Sequence, residues 1–261
     1  MDWAIYKYVS RSSKVIVITA GANQGIGLAL VLAAQLSEHG YTVIATVRSK
    51  EKIRGTAIAQ LNNVKFVEME AVDYGTIDSA MAEIENIAPE GIDDVWECAL
   101  ENLGVYKLGL ERDEASIRSI DAVELETHFK VSVVAPKYFT SKLIPLLEKR
   151  QSKTIVFVSS AGSSLEVTKQ SAEFFTSAGV IFGYAASKSA LNMVCLASGS
   201  SLSISICNSN HLTVVPIHPG IVFTDMYVAG PGITAEESVV DPLTSSDEDL
   251  LRNYDGSTFP R

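Results

Sequence analysis

Short apolar runs alternate along the chain with longer stretches in which apolar residues recur at helical spacing. The runs predict strands over residues 14–19, 41–46, 64–69, 92–98, 153–158 and 212–217. The helical pattern covers 25–38, 74–88, 122–148 and 184–199. Val43-Ile44-Ala45 and Ile155-Val156-Phe157-Val158 have no polar alternation, as strands covered on both faces do. Helices between such strands make parallel βαβ units. The expectation is an α/β chain with one doubly wound, Rossmann-type domain over 1–261. It has a mainly parallel sheet with helices on both faces, and a short extension over 1–13.

Two stretches interrupt the rhythm. Residues 162–183 are long enough for an insertion beside a site. Residues 226–253 follow the last clear strand and read as a variable lid. Within them Thr234 and Glu237 have capping-box spacing, and Pro242 limits any helix that follows.

Where the first strand ends, Gly21-Ala22-Asn23-Gln24-Gly25-Ile26-Gly27 opens helix 25–38. Glycines at such a place permit a tight turn, close approach of a phosphate and close helix packing. The free amides of the helix start suit a pyrophosphate. Gly21, Asn23, Gln24, Gly25, Ile26 and Gly27 are therefore candidate dinucleotide ligands. The second strand ends in Ala45-Thr46-Val47-Arg48, with no carboxylate to meet free ribose hydroxyls. Arg48 offers a guanidinium fork for a 2′-phosphate, with Lys50 close behind, and this favours NADP(H). Glu70 and Ala71, after the third strand, are placed to flank an adenine.

Hydride addition to a carbonyl needs a proton donor and groups that hold the developing oxyanion. Tyr184 and Lys188 are four residues apart, so one helical face carries both. A tyrosine with a pKa of about 10 is too weak an acid unaided, and a neighbouring cation favours its phenolate. Tyr184 is the candidate general acid. Lys188 is its cation and a candidate ligand of the nicotinamide ribose.

Taken together, Gly21-x-x-x-Gly25-x-Gly27, Val158-Ser159-Ser160-Ala161-Gly162 and Gly183-Tyr184-Ala185-Ala186-Ser187-Lys188 resemble the classical short-chain dehydrogenase/reductase family. The resemblance covers approximately 14–227. It is most like fungal ketoreductases of the norsolorinic acid ketoreductase type, which reduce carbonyls of bulky apolar substrates. It implies that Ser160, rather than Ser159, orients the carbonyl. It makes Asn102 and Gly104 cofactor-wall residues. In His218-Pro219-Gly220-Ile221-Val222-Phe223-Thr224 it implies that Val222 meets the carboxamide and Thr224 lies near the amide or phosphates. Pro219 and Gly220 shape that turn, and His218 is a packing residue rather than a base.

The chain also departs from the family pattern. Ala20 separates Thr19 from the first glycine, and Leu103 replaces a small residue. Ser132 stands where the family places an asparagine associated with a water-mediated proton path to the lysine. Ser132 brings a shorter hydroxyl to that relay. Ser160 and Tyr184 are 24 positions apart, a longer spacing than most relatives have.

Composition narrows the partners. There are 21 basic and 31 acidic side chains, for a formal charge of −10. That disfavours nucleic acid and anionic membranes. Residues 234–261 hold seven of the acids and two of the bases, so half of the net charge lies in the tail. Cys98, Cys195 and Cys207 lack metal-type spacing and read as inert thiols, and no metal site is expected. No apolar run is long enough for a membrane span. With no export signal at the start, the cytoplasm is the expected compartment. The reading is an NADPH-dependent carbonyl reductase acting on a small molecule. Relatives pair their long helices across a two-fold axis, which implies a homodimer or homotetramer. Apolar Phe139, Leu143, Leu196 and Ala197 lie on those helices. Two alternatives share the fold: a non-redox isomerase, dehydratase or cyclase, and a non-catalytic binding protein. Product formation without NADPH consumption marks the first alternative, and cofactor binding without any chemistry marks the second.

Overall fold

Val15–Thr19 forms β1, whose side chains alternate between two buried faces. Ile16 and Ile18 join one apolar cluster and Val17 the other. That period of two is what a strand inside a covered sheet requires. The computed structural model describes residues 14–19, 41–98, 122–170, 182–198, 212–222, 232–234, 237–238 and 251–259. The glycine turn, helix 25–38, Asn102, Gly104, Thr224, Cys207 and most of 226–253 lie outside them.

The remaining strands are β2 Thr42–Val47, β3 Val64–Glu68, β4 Asp94–Glu97, β5 Thr154–Val158, β6 Thr213–His218, β7 Leu251–Asn253 and β8 Thr258–Phe259. Their order is β3-β2-β1-β4-β5-β6-β7-β8. Every pairing is parallel except β7 with β8. The sequence-based strands agree with the first six to within a residue or two. The seventh and eighth were not anticipated. β7 falls inside the stretch expected to form a lid, where it pairs with β6 through Ile217↔Arg252 and His218↔Asn253.

Helices α1 Tyr74–Ile87, α2 Ala122–Phe129, α3 Ala135–Leu147, α4 Leu165–Gln170 and α5 Phe182–Ser198 are described. Asp73 caps α1 by accepting the Gly75 amide at 2.9 Å, and α1 stops before Pro89. Ile77 and Ile84 of α1, Phe139, Leu143 and Leu147 of α3 and Leu191 and Cys195 of α5 share one cluster with Val17, Val95, Ile155 and Phe157. These three helices therefore cover one face of the sheet. On the other face Val222, Ile233 and Tyr254 pack against Ile18, Val158 and Ile217.

The expected helix 122–148 is helical from 122 to 147, but it is not α-helical throughout. A π turn, Lys130–Val134, separates α2 from α3, and the Ala135 amide donates to the Lys130 carbonyl. Pro136 explains it. Proline has no N–H to give the Ser132 carbonyl four residues back, and its ring crowds that carbonyl. The chain widens there by one residue.

Phe139 and Leu143 are core residues and are not available for assembly. The large exposed apolar residues of these helices are Val123, Val134, Phe182 and Met193, which is 60% exposed, while Ala197 is exposed and Leu196 half-buried. No described helix is long and apolar enough to cross a membrane.

Candidate active site at the ends of the strands

The strand order reverses between β1 and β4. In such sheets a crevice opens beyond the carboxyl ends of the strands that flank the reversal. Here it narrows to a small gap lined by Thr19, Met69, Ala71, Ile77, Glu97, Ala135, Pro136 and Phe139. Ala71 thus sits on the crevice wall, beside Glu70. The Glu70 amide donates to the Thr76 hydroxyl at 3.0 Å, which fixes the turn into α1.

Arg48 lies just past β2 and is exposed. Its neighbour Lys50 pairs with Glu83 of α1 at 2.8 Å. Arg48 has no ion-pair partner among the described residues, so it is the cation left over at the strand end. The small Ala71 on the crevice wall and the exposed Arg48 past β2 are compatible with an adenine ribose end of a dinucleotide beside these strands.

β5 delivers two consecutive serines into different surroundings. Ser159 is buried, and its hydroxyl donates to Asn192 Oδ1 at 2.6 Å. The other end of that amide, Nδ2, donates to Ser163 Oγ at 2.7 Å. Ser163 in turn donates to the Ser160 carbonyl at 2.5 Å. Ser160 caps the short 3-10 turn Ala161–Ser163, its Oγ accepting the Gly162 amide at 3.2 Å. Accepting that bond leaves the Ser160 proton free to be donated. Ser160 is only half-buried. The structure therefore separates a structural Ser159 from a Ser160 held at the rim.

Tyr184 and Lys188 occupy one face of α5. Lys188 is 1% exposed, and its ammonium donates to the Val158 carbonyl at 3.0 Å, one residue before the serine pair. The same ammonium lies 5.7 Å from the centre of the Tyr184 ring. Ser187 donates to the Tyr184 carbonyl at 2.8 Å, and Ser189 to the Ser163 carbonyl at 2.7 Å. The first bond lies within α5, and the second ties α5 to the short turn that follows β5. Ser132 is fully buried within the π turn, which packs against α5.

Beyond β6, Pro219 is buried and Gly220 takes a φ of +84°. A Cβ on Gly220 would come within 2.6 Å of Ile233 Cδ1. Only glycine suits this turn. It leads into buried Val222, which bridges to Ile233. Thr234 and Glu237 form the reciprocal capping bonds, at 2.8 and 3.2 Å. His218 packs on Phe259 with ring centres 5.7 Å apart. Burial holds its imidazole down to about 4, against the pull of Asp255. A neutral histidine packed with its ring tilted against Phe259 is a packing residue.

Several residues of the site were missed from the sequence. Asn192 lies one turn beyond Lys188 on α5, but no pattern in the sequence singles it out. Ser163 stood in a serine-rich run with nothing to single it out. Glu97, at the end of β4, is buried and accepts hydroxyls from Thr19 at 2.7 Å and Thr140 at 3.1 Å. Its signal was a lone acid inside an apolar strand.

Known proteins share both sequence and fold with this chain. It is 27% identical over 279 residues to an uncharacterised oxidoreductase of Schizosaccharomyces pombe, C663.09c, covering 97% of this chain and 100% of that one. It is 28% identical over 269 residues to the short-chain dehydrogenase RED3 of Pyricularia oryzae, covering 95% and 99%. Among solved structures, the NADPH-bound carbonyl reductase from chicken fatty liver superposes with a TM-score of 0.78 at 20% identity, covering 99% of this chain and 98% of that one. Residues 14–230 match the short chain dehydrogenase signature, and the chain belongs to that family of oxidoreductases.

Proposed function

We propose that the chain reduces a carbonyl group with NADPH, with Tyr184 as general acid. The observation that carries this reading is Lys188, a buried cation beside the Tyr184 ring and bonded to the end of the strand that carries Ser160. A cation there favours the phenolate that remains after the proton is given up. Ser160 donates its free proton to the carbonyl oxygen and orients it. Ser159, Ser163 and Asn192 keep Ser160 in place. The nicotinamide, when bound, supplies the hydride. Gly21 to Gly27, Ala71 and the Pro219–Thr224 turn hold the cofactor, and Lys188 also holds its ribose. Arg48 reads the 2′-phosphate. Ser132 takes the place of the relay asparagine beside Lys188.

The substrate class is a bulky apolar or aromatic ketone of the secondary-metabolite kind, from the motif likeness to norsolorinic acid ketoreductase-type enzymes. The exposed Val123, Val134 and Met193 are the surface for a homodimer. The test is NADPH oxidation with a panel of aromatic ketones, quinones and cyclic diketones. Turnover of at least one class supports the reading. Tight NADPH binding with no turnover across the panel rejects it, and product formed without NADPH loss moves the protein to non-redox chemistry.

A further inference from the structure

The proposed reaction leaves Glu97 without a task. It ends β4, between β1 and β5. Strands inside a covered parallel sheet are normally apolar, yet this carboxylate is 3% exposed. Oε2 takes the Thr19 hydroxyl and Oε1 the Thr140 hydroxyl. Thr140 belongs to α3, so the carboxylate points to the face that α3 and α5 cover. Lys188 comes from α5 to the end of the adjacent strand. Its ammonium meets the Val158 carbonyl, and Val158 follows Phe157, the register partner of Glu97. Both charged groups therefore lie at the ends of adjacent strands, on one face, out of water.

Two hydroxyls satisfy hydrogen bonds but supply no charge. Burying a carboxylate without an opposite charge is costly. Burial holds Glu97 up at about 7, while the Thr19 and Thr140 hydroxyls and the Lys188 cation pull it down. Among the described residues the ionisable groups around Glu97 are Lys188 from α5 and the Cys98 thiol next to it on the strand. β1 and α3 contribute only Thr19 and Thr140.

We propose that Glu97 is a positioning residue of the active site, the buried counter-charge of Lys188, through which it sets how strongly Lys188 acts on Tyr184. The inference rests on the roles given above to Lys188 and Tyr184. An ionised Glu97 offsets part of the Lys188 field. A neutral Glu97 leaves that field undiminished, and the Tyr184 phenolate becomes easier to form.

Two measurements test it. The first follows the side-chain carboxyl carbons of ¹³C-glutamate-labelled full-length protein by NMR over a pH titration, without cofactor or substrate. The Glu97 resonance is the one lost in Glu97→Gln. In Lys188→Met its midpoint should rise by about one pH unit, the size of one lost charge at an effective dielectric near 20. An unmoved midpoint overturns the proposal. If Glu97→Gln does not fold, Glu97→Asp removes the same glutamate resonance and assigns it, and an unmoved midpoint in Lys188→Met is equally decisive. This readout needs no turnover, so a failed reductase reading and a failed coupling are distinguishable. The second compares pH profiles of alcohol oxidation. The acid limb of Glu97→Gln should shift to lower pH by about 0.5–1 unit, and Glu97→Asp, which keeps the charge, should stay nearer the wild type. Coincident profiles for wild type and Glu97→Gln overturn the proposal.

Discussion

Asn192 and Ser159 are joined by a 2.6 Å hydrogen bond that crosses from α5 to the end of β5. The strand carries Ser160 and the helix carries Tyr184 and Lys188. The bond therefore fixes the register between the two halves of the proposed active site. Asn192→Ala removes it together with the Ser163 bond, leaving Ser159 with only the 3.3 Å contact to Ser163 Oγ and Ser163 with its bond to the Ser160 carbonyl. The expected loss is about 2 kcal/mol of stability, with a fall in kcat/KM larger than any change in cofactor affinity. Urea unfolding and steady-state kinetics measure both. Unchanged stability would show that the network is dispensable.

Among the described residues Arg48 has no ion-pair partner at the end of β2, whereas Lys50 is held by Glu83. Arg48→Ala should weaken NADPH binding about tenfold or more while leaving NADH affinity nearly unchanged. Fluorescence titration with each reduced cofactor measures this. Equal losses would mean that Arg48 does not read the 2′-phosphate.

Glu97 makes stability depend on pH in a stated direction. Its folded value of about 7 lies above its ordinary 4.5. The folded state holds a proton that the unfolded chain releases between those values. The contribution is complete below about 4.5 and is lost as pH rises through 7. Wild type should therefore lose stability relative to Glu97→Gln between pH 5 and 8, by at most about 3 kcal/mol. Denaturation midpoints of the two proteins across that range check the sign. A difference that stays constant, or grows toward acid, contradicts it.

Met193 is the exposed apolar residue nearest the middle of α5. The proposed homodimer through α2, α3 and α5 would bury it. Met193→Glu should then shift the mass by light scattering toward that of the 28.1 kDa chain at micromolar concentration. A wild type that is already monomeric throughout would remove the dimer from the account.

Much of this was legible before the structure. Uninterrupted apolar runs such as Ile155–Val158 marked strands covered on both faces, and their alternation with helices led to the doubly wound sheet. The four-residue step from Tyr184 to Lys188 placed both on one side of α5. Other features depend on long-range pairing that local pattern does not express. Phe139 and Leu143 have helical spacing on either face, and only the packing of α3 against β4 and β5 shows that they point inward. The 251–253 strand is three residues long, below what a periodicity can identify. Glu97 acquires meaning only when Thr19 and Thr140 arrive from 78 and 43 residues away. The π turn was within reach, because Pro136 denies an amide to the Ser132 carbonyl, but it was read as part of one long helix.

The central claim is that Tyr184 gives the proton when hydride reaches the carbonyl. It is tested most directly by single-turnover reduction, under pre-steady-state conditions, of the best substrate from the panel by wild type and Tyr184→Phe. The phenyl ring keeps the packing of α5, so folding and NADPH affinity should stay close to wild type. The rate of the chemical step should fall by about 10²–10⁴-fold, the range for loss of a general acid. A mutant with the wild-type chemical rate and intact cofactor binding would contradict the account.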